Sequence, residues 1–317
     1  MKKYIQTILS AIGYYKVKSK WRWHQYITRL QKEDAQRKAE ATAWIEAVDH
    51  RLLPDVLKTG NVTVSLTSHS KRVSDFAPYA IFSIFHQTVL PNRIVLNINQ
   101  EKWNDDNLPE LIQKLQIAGL EVNFCEDVGP HTKLLPAMQK YPEDVIITID
   151  DDIYYDKELI EELLSTRDAS GKKNIVVCRT ALEITFDTGK MLPYSQWPQA
   201  TPDSKVHLSP FGWSGMLYSP HCFTDEVFNK DVYQSLCPKA DDIWFTIMEL
   251  IGNVPIVMVQ DTHWTGDGDV NHTNEYIAQN SDALHFQNAE NGGNDVQLAK
   301  LIEYYKLNEL KAERMNG

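Results

Sequence analysis

Cysteine is scarce in this 317-residue sequence, with Cys125, Cys178, Cys222 and Cys237 lying far apart and forming no CxxC pair. That spacing excludes a dense disulfide framework and a cysteine zinc site, and a reducing, cytoplasmic setting is expected. Long hydrophobic runs are missing: no stretch approaches the roughly 20 apolar residues needed to cross a bilayer. The opening MKKYIQTILSAIGYYKVKSK is basic, but Gln6, Thr7 and Ser10 interrupt its apolar stretch and no small-residue cleavage pattern follows, so no signal peptide is expected. Neither GxGxxG nor a P-loop occurs, which argues against nicotinamide enzymes and Walker ATPases. Positive charge is in deficit, at 32 Lys and Arg against 43 Asp and Glu for a formal charge of −11, so nucleic acid is not an expected partner.

The charge is unevenly spread. Ten of the Lys and Arg fall in the first 40 residues, against Glu33, Asp34 and Glu40. From about Lys20 to Leu53, Trp21, Tyr26, Ile27, Leu30, Trp44, Ile45, Val48 and Leu52 are interleaved with charges in a helical pattern that Pro54 and Gly60 end. Such a basic, Trp-bearing segment fits peripheral contact with an anionic membrane surface, and equally fits a helix packed on the main domain.

From Asn61 strands and helices alternate, which predicts a largely parallel sheet with helices on its faces. The strands are VTVSLT (62 to 67), RIVLNI (93 to 98), LEVNFC (120 to 125) and DVIITI (144 to 149). Helices are expected over 75 to 87, 107 to 119 and TKLLPAMQKY. The second half is less regular, with strands at 174 to 179 and 254 to 259, helices near 219 to 229 and 240 to 251, and a helix from Asn294. Open α/β sheets bind ligands beyond the carboxyl ends of their strands, which points to SHSKR, EDVGPHTK and DDDIYY.

DVIITIDDDIYY sets Asp150, Asp151 and Asp152 directly after an apolar strand. Three adjacent carboxylates repel, and a hard divalent cation, which takes carboxylate oxygens and keeps positions for water and phosphate, would hold them together. In an extended segment Asp150 and Asp152 project to one side and Asp151 to the other. The triplet also fits a solvated acidic first turn before KELIEELL, although Asp156 already suits that helix's N-cap.

The stretch VTVSLTSHSKRVSDFAPYAIFSIFHQTVLPNRIVLNI, through Ser83, Ile84, Gln87, Thr88 and Pro91, resembles the opening of glycosyltransferase family 2 and related bacterial GT-A enzymes. TIDDD resembles their DxD signature, and the resemblance covers about residues 61 to 260, in particular to transferases of capsule and lipopolysaccharide biosynthesis. It implies a GT-A fold, a Rossmann-like mixed sheet flanked by helices, with a nucleotide-binding half at 61–155, an acceptor-binding half at 156–317 and a helical appendage at 1–60. It implies Mn2+ or Mg2+, a nucleotide-diphospho-sugar donor, UDP-sugar foremost, and a glycan or lipid-linked glycan acceptor.

Residue by residue, the resemblance places Thr67, Ser68, His69 and Arg72 at the base and ribose, and Asn97 where the second strand's end meets the nucleotide. Lys133 is placed to neutralise the diphosphate, or is a solvent-exposed helix lysine. Asp152, with Asp150, is the implied metal grip, and Asp150 or Asp151 serves the ribose. GWSGMLYSP resembles the acceptor loop, in which Gly212 and Gly215 let the backbone approach a sugar and Trp213 stacks on its apolar face; the glycines also fit a simple turn. KADDIWFTIMELIG resembles the acidic pair of inverting members, with Asp242 as general base and Asp241 its neighbour. His263 is placed to complete the metal shell or to be a hydrogen-bonded loop histidine, and His285 to close over the site.

Rival classes fail on particular residues. A haloacid-dehalogenase-like phosphatase would need Thr or Val where Tyr154 stands, and nucleotidyltransferases need a glycine-rich basic loop where SLTSHSKR lies. The alternatives are a non-catalytic carbohydrate-binding protein of the same fold, which fold alone does not exclude, and a different metal-dependent phosphoryl- or nucleotidyl-transfer enzyme; the simultaneous presence of Asp150/Asp152 and Asp242 discriminates against the binding protein, which has no need for both.

Overall fold

A computed structural model describes residues 20–263, Asn288 and 292–309. His285 and the residues before Lys20 lie outside them. In chain order the strands are β1 (Val62–Thr67), β2 (Arg93–Asn99), β3 (Leu120–Cys125), β4 (Val145–Thr148), β5 (Val176–Cys178), β6 (Ala181–Glu183), β7 (Phe186–Asp187), β8 (Lys190–Met191), β9 (Leu208–Pro210), β10 (Met216–Tyr218) and β11 (Ile256–Met258). Seven of them form one sheet in the order β11-β5-β10-β4-β1-β2-β3. Every neighbouring pair is parallel except those made by β10, which runs antiparallel to both β4 and β5. The mixed α/β sheet expected from the sequence is therefore present.

The helices are α1 (Lys20–Ala47), α2 (Arg72–Asp75), α3 (Ala77–Phe85), α4 (Glu110–Ala118), α5 (Leu135–Lys140), α6 (Leu159–Ser170), α7 (Lys230–Leu236), α8 (Asp241–Gly252) and α9 (Gly293–Tyr304). Because side chains alternate along a strand, each central strand feeds two cores. Ile147, Val177 and Leu217 join one core with residues of α1, α3, α4 and α6. Ile146, Val176, Cys178, Met216 and Tyr218 join the other with residues of α5, α8 and α9. Fully buried side chains such as Leu66, Ile94 and Ile147 each contribute roughly 1.5–3 kcal/mol of transfer free energy.

Three expected helices are broken or displaced. The one expected over 75 to 87 is present as α3 but starts two residues late, at Ala77, because Pro78 in its first turn withholds a backbone donor that would join it to α2. The one expected over TKLLPAMQKY begins as a 3-10 turn, Gly129–Lys133, and resumes as α5 with Pro136 in its first turn. The one near 219 to 229 is a 3-10 turn, Asp225–Phe228, ahead of α7.

The second half of α1 packs on the domain. Ala41 and Ile45 are fully buried, and Trp44 meets Phe82 edge-on with ring centroids 5.4 Å apart. Among the described residues no helix is long and apolar enough to cross a membrane.

Candidate active site

The parallel strands leave the sheet at one edge, and β10 enters at that same edge because it runs the other way. Met216 pairs with both Thr148 and Cys178, so the residues just before Met216 stand level with those just after β4 and β5. This topology alone brings GWSG to the acidic triplet.

The triplet divides by burial: Asp151 is buried, and Asp150 and Asp152 are partly exposed. Asp151 receives the Ser68 hydroxyl at 2.5 Å and the Arg72 Nε at 3.1 Å, with a second bond from the Arg72 terminal nitrogen. That nitrogen also lies 2.9 Å from Asp152, and the guanidinium stacks on Phe76 at 4.7 Å. Ser68, Arg72 and Asp151 thus hold the turn's shape, and Asp151, assigned to the nucleotide by resemblance, spends its carboxylate on protein partners. Burial raises the Asp151 pKa against the opposing pull of Arg72.

Lys133 is buried, which removes the reading of it as a solvent-exposed helix lysine. Its carbonyl accepts the Ser65 hydroxyl at 2.6 Å, pinning the 3-10 turn to β1. Its ammonium lies 3.0 Å from Asp150 and 3.1 Å from Asp241. Burial opposes that charge, but Asp150, Asp241 and Asp242 outweigh it and hold the ammonium well above its ordinary pKa. Asp150, in turn, is raised by burial and by Asp152 despite Lys133.

Asp241 and Asp242 open α8 with their side chains in the same cluster. Asp242 Oδ1 accepts the Gly212 N–H at 3.1 Å. Burial first, then the neighbouring Asp241, pushes the Asp242 carboxyl up to about 7, with Lys133 opposing. A carboxyl poised there exchanges a proton near neutrality, as a general base must.

Space is tight around the glycines of GWSG. A Cβ on Gly212 would fall 2.8 Å from Lys133 Nζ and 3.0 Å from Asp242 Oδ1. Gly215 has φ +87° and a Cβ there would lie 2.5 Å from Leu159. Trp213 between them is 37% exposed.

Other expected contacts are placed elsewhere. Asn97 is fully buried, donating to Ser65 Oγ at 2.9 Å and the Leu66 carbonyl at 3.2 Å and accepting from Asn123 at 2.8 Å, so its amide serves the sheet and not a nucleotide. Thr67 donates to the Asn97 carbonyl at 2.9 Å. His69 is exposed beside Ser70. His263 is held on Glu162, whose Oε1 lies 2.6 Å from Nδ1 and accepts the His263 N–H at 2.7 Å; nothing described brings it to the triplet. Asp156 is not the cap of α6, which starts at Leu159, and pairs with Arg179 at 2.5 and 2.8 Å.

Two residues of this region escaped sequence reasoning. His131 is fully buried, stacked on Tyr233 at 4.6 Å, and burial drives its pKa down to about 4, so it is neutral. Tyr155 accepts the Asp150 N–H at 2.8 Å and donates to the Trp213 carbonyl at 3.0 Å. No local spacing signals either one, because Tyr233 and Trp213, which they meet, lie far along the chain.

The donor set suits a hard divalent ion, since Asp150 and Asp152 offer partly exposed carboxylates. Among the described residues no three or more His, Cys, Asp and Glu side chains are grouped so that they could hold a metal ion.

No protein-family model matches the chain, and no curated protein does. Among solved structures it is similar to Staphylococcus aureus TarS residues 1–349 in complex with UDP, at 17% identity and TM-score 0.42, over 64% of this chain and 58% of that one. It thus spans less than two thirds of that structure. It is also similar to a CMP:2-keto-3-deoxy-manno-octonic acid synthetase with CTP, at 12% identity and TM-score 0.38, over 74% of this chain and 100% of that one. A cytidylyltransferase from Leptospira borgpetersenii matches at 11% identity and TM-score 0.40, over 82% and 97%.

Proposed function

We propose that this chain is a glycosyltransferase that moves a sugar from a nucleotide-diphospho-sugar, with a UDP-sugar as the leading donor, to a hydroxyl of a glycan or lipid-linked glycan. One observation carries this reading: the Lys133 ammonium joins the acidic turn after β4 to the acids that open α8, at 3.0 Å from Asp150 and 3.1 Å from Asp241. A binding protein has no need to bring a cation-gripping pair and a proton acceptor poised near neutrality into one cluster.

Each part has a task in an inverting displacement. Asp152 and Asp150 would hold a magnesium or manganese ion, which supplies Lewis-acid stabilisation of the departing diphosphate. Lys133 and Arg72 set the positive charge around the turn and keep the carboxylates in place. Asp242, oriented by the Gly212 N–H, accepts the proton of the acceptor hydroxyl, and burial together with Asp241 keeps its pKa high enough to do so. Trp213 offers an aromatic face to the acceptor sugar, and the exposed basic side chains of α1, such as Arg29 and Lys32, favour an anionic membrane that presents lipid-linked acceptors.

The test separates the roles. Asp152→Ala should abolish transfer and weaken manganese-dependent UDP binding, whereas Asp242→Asn should leave UDP binding intact and abolish transfer. Equal loss of UDP binding in both variants, or wild-type transfer that survives chelation, would refute this assignment.

A further inference from the structure

Tyr155 follows the triplet, and its side chain is 5% exposed in the core beneath α3. Its N–H donates to Ser83 Oγ at 3.1 Å, which fixes the root of the side chain on α3. Its hydroxyl works in both directions, accepting the Asp150 N–H at 2.8 Å and donating to the Trp213 carbonyl at 3.0 Å. Those two backbone groups belong to different loops. The ladder between β4 and β10 ends at the Thr148 and Met216 pair, and just beyond it the phenol bridges the two chains.

We propose that Tyr155 is a positioning residue that sets the acceptor loop Gly212–Gly215 against the acidic turn Asp150–Asp152. A phenol can serve an N–H and a carbonyl at once, and phenylalanine can serve neither. With Trp213 on one side of the bridge and the cation-gripping carboxylates on the other, a shift in the bridge moves acceptor relative to donor and leaves each half intact. The kinetic consequence rests on the glycosyl-transfer reading; the coupling of the two loops does not.

The experiment is Tyr155→Phe in the full chain, which keeps the buried ring. UDP affinity with manganese should stay within about twofold, and donor hydrolysis by water within about threefold, while transfer to the sugar acceptor falls by roughly ten- to a hundredfold, the size of loss expected from a small misplacement. Amide exchange at Asp150 and across 212–215 should quicken by about tenfold or more, as local opening becomes easier. Hydrolysis and transfer falling in parallel would overturn the proposal, because that pattern marks general damage to the donor site. Should the wild type transfer no sugar from any nucleotide donor, the glycosyl-transfer reading fails and exchange decides alone: unchanged rates at 212–215 in the variant overturn the coupling. Ser83→Ala, which removes the acceptor of the Tyr155 N–H and keeps the phenol, should shift exchange in the same direction by less. If Tyr155→Phe does not fold, unchanged exchange in Ser83→Ala overturns the proposal.

Discussion

Lys133 and Asp241 form an ion pair at 3.1 Å in which each side chain is only 11% exposed. The same ammonium serves the partly exposed Asp150, so its removal strands above all Asp241, which has little water to turn to. Lys133→Met is expected to cost about 3–5 kcal/mol in urea unfolding at pH 8, the usual penalty for breaking a buried pair from one side. Adding Asp241→Asn to Lys133→Met should restore part of the stability; a double variant no more stable than the single would show that the pair does not carry this energy.

Asp242 gives the proposed transfer a pH signature. With its carboxyl pushed up to about 7, the base is lost as pH falls below neutrality, so kcat/KM should drop about tenfold per pH unit on the acid side. Stability runs the other way. A carboxyl whose folded pKa lies above the ordinary 3.8 favours the fold when protonated, a contribution that is complete below about pH 4 and is lost as pH rises through about 7. Asp242→Asn should therefore gain stability relative to wild type between those limits, and parallel unfolding curves at pH 5 and pH 8 would contradict the buried, raised carboxyl.

The two glycines of the acceptor loop should separate function from stability. At Gly212 the Cβ would press on Lys133 Nζ and Asp242 Oδ1, so Gly212→Ala should chiefly remove transfer. At Gly215 the Cβ would meet Leu159 at 2.5 Å on a left-handed backbone, so Gly215→Ala should chiefly unfold, by on the order of 2 kcal/mol or more. Thermal melts beside activity measurements check the contrast.

The first half of the fold was legible because its strands are apolar runs of ordinary length punctuated by helices with clear ends, and β1 and β3 fall where the pattern puts them. The triplet and the acids of α8 were legible because they are consecutive in sequence. What joins them was not. Nothing in a linear pattern says that β10 runs antiparallel between β4 and β5, and that reversal delivers Gly212 to Asp242 and Trp213 to Tyr155. Asn97 misled for the same reason: a polar residue near a strand end reads as a ligand contact until the neighbouring strands supply Ser65 and Asn123 as its partners.

Arg179 anchors the network that holds His263. Its side chain is fully buried and pairs with Asp156 at 2.5 and 2.8 Å and with Glu162 at 2.8 Å. Glu162 then takes the Thr262 hydroxyl at 2.9 Å and both the N–H and the ring of His263. The network ties the chain after β11 to α6, and the first contribution to the raised His263 pKa is its bond to Glu162. His263→Ala should therefore leave the manganese concentration for half-maximal activity unchanged within about twofold, whereas Asp152→Ala should raise it by about tenfold or more. Arg179→Met should instead unfold the protein by about 3–5 kcal/mol with the metal requirement intact in whatever fraction folds. A tenfold weaker manganese response in His263→Ala would return the histidine to the metal shell and overturn its assignment to this network.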